Sequence, residues 1–452
     1  MIVAVLFIGL FLFVSWISVV HAMGLLLALM ILHGVLVLWA GESTIHLPLF
    51  AGAIILAAIL ATGTWRKPGG SIIALFAVLI LAMCMAAFAG LDQANSLFWL
   101  VQYAKGFLLA LLVAGIVRSE HDIKLLTLYC LAAVVIGASL TAYQHMTGAY
   151  AISTIYEQRA SGLTGDPNDT AMLLIIGIPL AWYWFTKSPH IVLKAIFFSA
   201  LLLLLISVML TGSRGGFVTL ALLAFVIYLK RPTFSVTIIG LVMAGVLTAV
   251  VPHAYWDRVE TLVAGKDQHG GASLGNRAKL LLTGLEIFSE NPLLGVGSGN
   301  FGLAFATHGR GGSVRNLASQ HLSSQAGKFG VAHNLHLEFF VEHGVVAGFI
   351  LWAIFCRALS NLVRYVEVRG DDGGNHFHLG FSLALALGGM LFAGLFLSQG
   401  KNPVLWFLVG MGFAVVQVAG KEKPRTVCDS STETASTPGM VFPQVPYQHL
   451  EQ

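Results

Sequence analysis

The chain has 452 residues, of which 57% are hydrophobic and only 10% charged. With a mean hydropathy of +0.83, it falls outside the soluble globular class, in which about a quarter of residues carry charge. The net charge of +4 is spread over separate short loops, with no basic stripe interleaved with aromatics, so nucleic acid is not an expected partner.

Apolar runs long enough to cross ~30 Å of hydrocarbon at ~1.5 Å per residue recur from end to end, and a solvent without water makes each a helix. The fold class is therefore an all-α polytopic membrane protein. In chain order, spans are expected at 2–20, 24–39, 48–65, 71–90, 97–117, 124–145, 169–186, 191–211, 216–229, 234–252, 338–360, 379–398 and 403–420. The total is twelve or thirteen transmembrane helices, depending on how residues 1–40 divide. This organises the chain into a membrane region with short loops at 1–252, one long loop with amphipathic helices at 253–335, C-terminal spans at 336–420 and a tail at 421–452. The tail carries Pro, Ser and Thr without apolar periodicity and reads as disordered. The first run has no basic leader, so a removed signal peptide is not expected. Cys84, Cys130 and Cys356 fall within spans and Cys428 in the tail, a spacing that gives neither a disulfide framework nor a zinc site.

Orientation follows from the short loops, because cytoplasmic loops retain Lys and Arg. Arg66, Lys67, Arg118, Lys124, Lys187, Lys194, Lys230, Arg231, Arg364, Arg369 and the KEKPR segment at 421–425 alternate onto one side, which marks it as cytoplasmic. The opposite, outer face receives the loops at 40–47, 91–96, 146–168, 211–215 and 399–402 and the long loop at 253–335. It thus holds nearly all the polar sequence that is not simply a connector.

The outer loop at 146–168 contains EQRASGLTGDPND, where Asp166, Asn168 and Asp169 suit the cap of the next helix and Arg159 stands where positive charge is usually avoided. At 211–217 the chain reads TGSRGGF, so Arg214 is held between two spans by a tight turn whose glycines let a bulky anion approach the backbone. An interfacial anchor is the competing reading for such an arginine. The long loop opens with SLGNRAKLLLTGLEIFSENPLLGVGSGNF at 273–301; Leu280, Leu281, Leu285 and Ile287 form an apolar face, and Arg277 is expected in the first turn, near a helix start that attracts phosphate. Arg258, Arg310 and Arg315 add positive charge, and GVGSG reads as a flexible turn rather than a dinucleotide fingerprint, since no strand precedes it.

Residues 333–348 read HNLHLEFFVEHGVVAG, a polar start to an apolar span. A histidine at a helix N-terminus has its charged form disfavoured by the dipole and tends to be neutral near pH 7, as a general base must be. His333 and His336 are expected to share a face, with Glu338 and Glu342 following. A capping histidine, or a metal site using His333, His336 and Glu338 or His343, are the alternatives. No outer Asp-x-Asp pair offers to hold a divalent cation, and neither a metal nor another cofactor is expected. Lys105 stands alone about eight residues into its span, where snorkelling or ion pairing competes with a functional role.

Outer arginines with a helix-start histidine suit a lipid-linked diphosphate, because guanidinium groups can take the charge that develops on a diphosphate leaving group. The reaction class that fits is glycosyl transfer from a polyprenyl-diphosphate donor. In RASGLTGDPND, TGSRGGF, Asn276-Arg277 followed by NPLLGVGSGNF, and HNLHLEFFVEHG, spread over about 155–350, the chain resembles the superfamily of O-antigen ligases and polymerases of the bacterial envelope. That family's pattern is His-Asn, nine residues, Gly, two residues, then Gly, Thr or Tyr. Gly344 fits it, but Ala347 takes the last position, which blurs the helix register there.

The resemblance implies a metal-independent, inverting transfer with His333 catalytic. Arg214 and Arg277 would contact the diphosphate, with Arg159 a further ligand, and Asn334, His336 and Glu338 complete the expected substrate-binding set. It further implies undecaprenyl diphosphate-linked glycan as donor, lipid A core or another glycan as acceptor, membrane lipids as surroundings, and a bacterial inner membrane location with a periplasmic active site. The segment around 333 most resembles the ligase branch; a polymerase using the same donor is the alternative within the family. A lipid-linked glycan transporter is a separate alternative, though it should carry charges deep in several spans, and no internal repeat is present. A non-catalytic subunit of a glycan-assembling complex is the last, and it would not need the histidine.

Overall fold

The computed structural model describes residues 2–40, 46–148, 153–154, 157–162, 164–230, 237, 245, 271–308, 331–368 and 379–419. Within them the chain is helical, apart from one antiparallel pairing of β1 (Ser153–Thr154) with β2 (Glu157–Gln158). The helices are α1 (Ile2–Ile17), α2 (Val19–Ala40), α3 (Leu47–Thr62), α4 (Gly70–Ala89), α5 (Gln93–Ile116), α6 (Glu120–Thr147), α7 (Pro167–Lys187), α8 (Ile191–Leu210) and α9 (Arg214–Lys230). They continue with α10 (Gly271–Glu290), α11 (Phe301–Thr307), α12 (Leu335–Val368), α13 (Leu379–Ala393) and α14 (Pro403–Ala419).

Every predicted span except 234–252 coincides with a helix; of that span only residues 237 and 245 are described, and Arg258, Arg310, Arg315 and the tail lie outside the described residues. Six helices, α4 to α8 and α12, are long and apolar enough to cross a membrane, and α2, α3, α13 and α14 are shorter apolar helices. The first two helices divide at Ser18 rather than after residue 20. The span expected to end at 398 stops at Ala393, and the residues after it form a turn that packs on the start of α12.

Local chemistry sets the helix ends. Asp92 caps α5 by accepting the Asn95 N–H at 3.0 Å, and Ser119 with Asp122 forms a reciprocal capping box on α6. Asp166 caps α7 by accepting the N–H groups of Asn168 at 2.7 Å and Asp169 at 3.1 Å, with Pro167 in the first turn where its missing donor does no harm. The capping expected of this cluster is therefore carried by Asp166 alone.

Between helices, small residues allow close approach, the usual packing of helices in lipid. A Cβ on Gly106 would come within 2.3 Å of the ring of Trp406, which is fully buried between α5 and α14 and lies 4.6 Å from the Phe107 ring. Gly410 and Gly412 of α14 meet the backbones of Ala110 and Ala358 in the same way.

Helix α10 is amphipathic as expected, but its apolar residues divide between two faces. Ile287 is buried and Leu280 packs beside it, in a second small core with Val296, Phe301, Leu337 and Val341. Leu281 and Leu285 are exposed, with Leu282. The segment 291–300 is not a free loop. Helix α12 breaks at Gly344, whose backbone is left-handed at φ 76°, so the carbonyls of Val341 and Glu342 lose their helical donors. They accept instead from Val296 N–H at 3.0 Å and Gly297 N–H at 2.8 Å, while Val345 N–H donates to the Pro292 carbonyl at 2.8 Å. The blur in the family spacing at Ala347 thus sits just past a break in the helix.

A Cβ on Gly344 would lie 2.0 Å from the Leu293 carbonyl oxygen. Gly344→Ala should therefore lower stability by about 2–4 kcal/mol, combining left-handed strain with the clash. Gly52→Ala, where a Cβ meets nothing within 4 Å, should be neutral or slightly stabilising. Thermal unfolding of the purified protein in detergent measures both, and equal melting points for the two variants would contradict this account.

Candidate active site

Three helix N-termini meet at one end of the bundle. Helix α9 follows a turn opened by Gly212 at φ 60°. Ser213 caps it, its hydroxyl accepting Gly216 N–H at 3.2 Å and its carbonyl Phe217 N–H at 3.0 Å, which makes Arg214 the first helical residue. Asn334 caps α12, its Oδ1 accepting the N–H groups of His336 and Leu337, each at 3.0 Å. Leu335 N–H then donates to the carbonyls of Gly394 at 2.7 Å and Leu397 at 2.9 Å, fastening this start to the turn after α13. The third N-terminus is that of α7, at Asp166 to Asn168.

A cavity of about 310 Å³ lies against these ends, with Arg214, Arg277, His333 and Asn334 in its wall. Its apolar lining includes Val218, Leu281 and Leu395, which are 36%, 43% and 42% exposed and so form an apolar rim. Behind Arg277 lies a smaller pocket of about 10 Å³, lined by Asn168, Ser213, Gly215 and Gly216 among others. A third pocket, about 250 Å³ and wholly apolar in lining surface, opens beside the first and shares Leu395 with it.

His333 occupies a left-handed turn at φ 50°, the one non-glycine residue with positive φ among the described residues. That conformation costs about 1–2 kcal/mol and persists because its neighbours are pinned, Ala332 N–H by Glu338 Oε2 at 3.1 Å and Asn334 by its capping bonds. The His333 imidazole is held below the ordinary 6.5, first by burial and then by the Arg277 guanidinium, with Asp166 and Glu338 opposing. Its neutrality therefore has its largest cause in burial, not in the helix start that sequence reasoning invoked. Arg277 is shifted down by burial and by Arg214, with Asp166 opposing. Arg214 thus stands close enough to disfavour the charge on Arg277, an arrangement relieved by a bound anion.

Arg277 lines the cavity from an unexpected helical position, and Arg159, His336 and Glu338 fall elsewhere. Arg277 lies in the second turn of α10, not the first, because the helix starts at Gly271; the helix N-terminus nearest the cationic wall is that of α9. Arg159 does not line any of the three pockets. Its Nε donates to the Thr211 carbonyl at 2.9 Å, and its guanidinium donates to Asn168 Oδ1 at 3.0 Å. His336 does not share a face with His333: its Nε2–H donates to the Leu391 carbonyl at 3.0 Å, its ring lies 5.0 Å from that of Trp352, and it borders the apolar pocket. Glu338 is buried, accepting from Ala332 N–H and the Ser398 hydroxyl. His343 is buried too, its Nδ1–H on the Phe339 carbonyl and its Nε2 accepting from Ser298 at 2.7 Å. The expected His333, His336 and Glu338 grouping thus points in three directions, and the described residues contain no cluster of three His, Cys, Asp or Glu able to hold a metal ion. Lys105 is exposed and donates to Gln102 at 3.1 Å, away from the site.

Sequence reasoning missed Ser213 and the Asn168 amide, because both sit at helix starts where capping accounts for them. It also missed Leu395 and Phe396, because the predicted span ran through them.

Because the His333 pKa is depressed in the folded protein, its contribution to stability is present above 6.5 and lost as pH falls from there through the folded value. The acid limb of any His333-dependent activity should have a midpoint below 6.5, and Arg277→Gln should move it to higher pH by removing a neighbouring positive charge. A pH–rate profile of wild type and residual variant activity measures this; a limb unmoved by the substitution would separate Arg277 from His333.

No curated protein matched the sequence. A family model described as O-antigen ligase matches residues 199–353, from within α8 to within α12. The matched segment contains Arg214, Arg277 and His333, and it supports the assignment of this chain to the O-antigen ligase superfamily.

Proposed function

We propose that the protein is an O-antigen ligase, transferring glycan from undecaprenyl diphosphate to a sugar hydroxyl of lipid A core at the periplasmic face of the inner membrane. The observation that carries this reading is the cavity with Arg214, Arg277 and His333 in its wall and exposed Val218, Leu281 and Leu395 at its edge. An anionic head on an apolar tail fits such a site, since the head reaches the guanidinium groups while the tail stays in lipid. The adjoining apolar pocket suits the first units of a polyprenyl chain.

In the proposed reaction the acceptor oxygen attacks the anomeric carbon, its proton passes to the neutral His333 imidazole, and the bond from that carbon to the diphosphate oxygen breaks. Inversion follows from a single displacement. The leaving diphosphate carries the electron pair away, and Arg214 and Arg277 hold its charge through charge-assisted hydrogen bonds. No metal is required by this scheme. Basic short loops on one side and the location of the site on the other are consistent with a periplasmic active site.

Reconstitution with undecaprenyl-diphosphate glycan and a choice of acceptors tests the reading: product on lipid A core is expected, product on a second glycan would make the protein a polymerase, and no transfer would favour a non-enzyme. His333→Ala should lower transfer by about 10²–10⁴-fold with the protein still folded and inserted. Arg277→Lys should lose much of the rate, because a two-pronged donor becomes a point charge. Full activity in either variant would overturn its assigned role, and a strict requirement for a divalent cation would overturn the metal-independent scheme.

A further inference from the structure

The small pocket behind Arg277 has a chemical character that the larger cavity does not explain. It has room for about one water-sized group at ≈ 10 Å³, and its wall combines Arg277 with the side chains of Asn168 and Ser213 and with Gly215 and Gly216 in the first turn of α9. Arg277 and Gly215 belong to both spaces, so the pocket is an inward extension of the arginine-lined cavity.

The orientation of the Asn168 amide is fixed by its neighbours. Its Oδ1 receives the Arg159 guanidinium at 3.0 Å and the Ser213 hydroxyl at 3.0 Å. A guanidinium has only donors, so the atom facing Arg159 must be the oxygen. Both remaining amide hydrogens then lie on the opposite branch, on a residue that lines the pocket, and Nδ2 has no partner among the described residues. Arg159 is itself anchored, through Nε, to the Thr211 carbonyl just before the α9 turn. A neutral N–H donor beside a guanidinium, in a space for one oxygen, recognises a phosphoryl oxygen.

We propose that Asn168 Nδ2 is a further ligand for a phosphoryl oxygen of the donor, seated in the pocket behind Arg277, and that Arg159 is the positioning residue that keeps the amide turned that way. This rests on the diphosphate reading of the cavity and deepens it. It also gives Arg159 a role that its position away from the cavity wall permits: it acts on the donor through Asn168. Ser213 shares that role while capping α9, so the same hydroxyl ties the amide to the first turn that carries Arg214.

The test uses the full chain in nanodiscs and undecaprenyl diphosphate as the probe, with binding read by isothermal titration and folding by thermal unfolding. Asn168→Asp can still accept from Arg159 and Ser213, so it should fold; it places an acceptor where a donor is needed, and the probe should bind at least tenfold more weakly. Arg159→Ala should weaken binding several-fold in the wild-type background and have no further effect in the Asn168→Ala background, because its influence passes through the amide. Should Arg159→Ala fail to fold, Arg159→Lys in the same two backgrounds provides the same comparison. Wild-type affinity in Asn168→Asp would overturn the subsite. Full additivity of the Arg159 and Asn168 substitutions would overturn the positioning role and make Arg159 an independent ligand. Arg277→Ala separates the two levels: if it leaves affinity unchanged the diphosphate cavity itself is wrong, whereas weakened binding there with an unaffected Asn168→Asp rejects only the subsite.

Discussion

A helix that breaks inside an apolar protein must find new partners for the carbonyls it strands, and the break at Gly344 is where this fold meets that demand. A backbone group left unpaired in such surroundings costs several kcal/mol. The carbonyls of Val341 and Glu342 are satisfied by Val296 and Gly297, and Pro292 takes the N–H of Val345. These three bonds join the segment after α10 to the first third of α12. Since α10 carries Arg277 and the start of α12 adjoins His333, the bonds that repair the helix also set the distance between these two residues. The small core of Ile287, Phe301, Leu337 and Val341 fills the space between the joined elements, so the alignment is held by packing as well as by hydrogen bonds.

The same economy appears at the His333 turn. A left-handed histidine is unfavourable by itself, yet each neighbour is fixed by a bond that does something else: Asn334 caps α12, Leu335 N–H is shared between two carbonyls of the turn after α13, and buried Glu338 takes the Ala332 N–H. The turn lets His333 contribute to the cavity wall while His336, one helical turn along, borders the apolar pocket. Two histidines three residues apart thus end in different chemical surroundings, which regular helix geometry from residue 333 onward would not produce.

Much of this was legible in the sequence, and what was not had a physical reason. Long apolar runs give helices with little ambiguity, since lipid leaves no alternative. Arg214 and His333 stand out because each is a polar residue at the edge of such a run, and both line the cavity. The limits lie at helix ends. Arg277 was expected in the first turn of its helix, but the helix begins earlier, at Gly271. Arg159 read as a ligand because positive charge is unusual in an outer loop and because of the family resemblance; its hydrogen bonds to Asn168 and to Thr211, the latter 52 residues away, could not be read from the sequence. The turn at 394–398 was hidden because Leu395, Phe396 and Leu397 continue an apolar pattern, and only the ending of α13 at Ala393 turns them toward the site.

Convergence of helix starts adds to the positive potential of the site and explains why it should prefer a diphosphate. The N-termini of α7, α9 and α12 each present the positive end of a dipole, worth roughly half a charge, to the region that already holds Arg214 and Arg277. Asp166, at the first of these ends, opposes the shift at both Arg277 and His333, and Glu338 joins it at His333. One such charge set against two guanidinium groups leaves the site cationic. A monoanion would relieve that imbalance only in part, while a diphosphate offers enough oxygens to meet both arginines at once. In the proposed reaction, binding and catalysis then share one source of energy: the attraction of the two guanidinium groups for the diphosphate is greatest as the leaving group gains its full charge, so the interaction strengthens toward the transition state instead of being spent in the ground state.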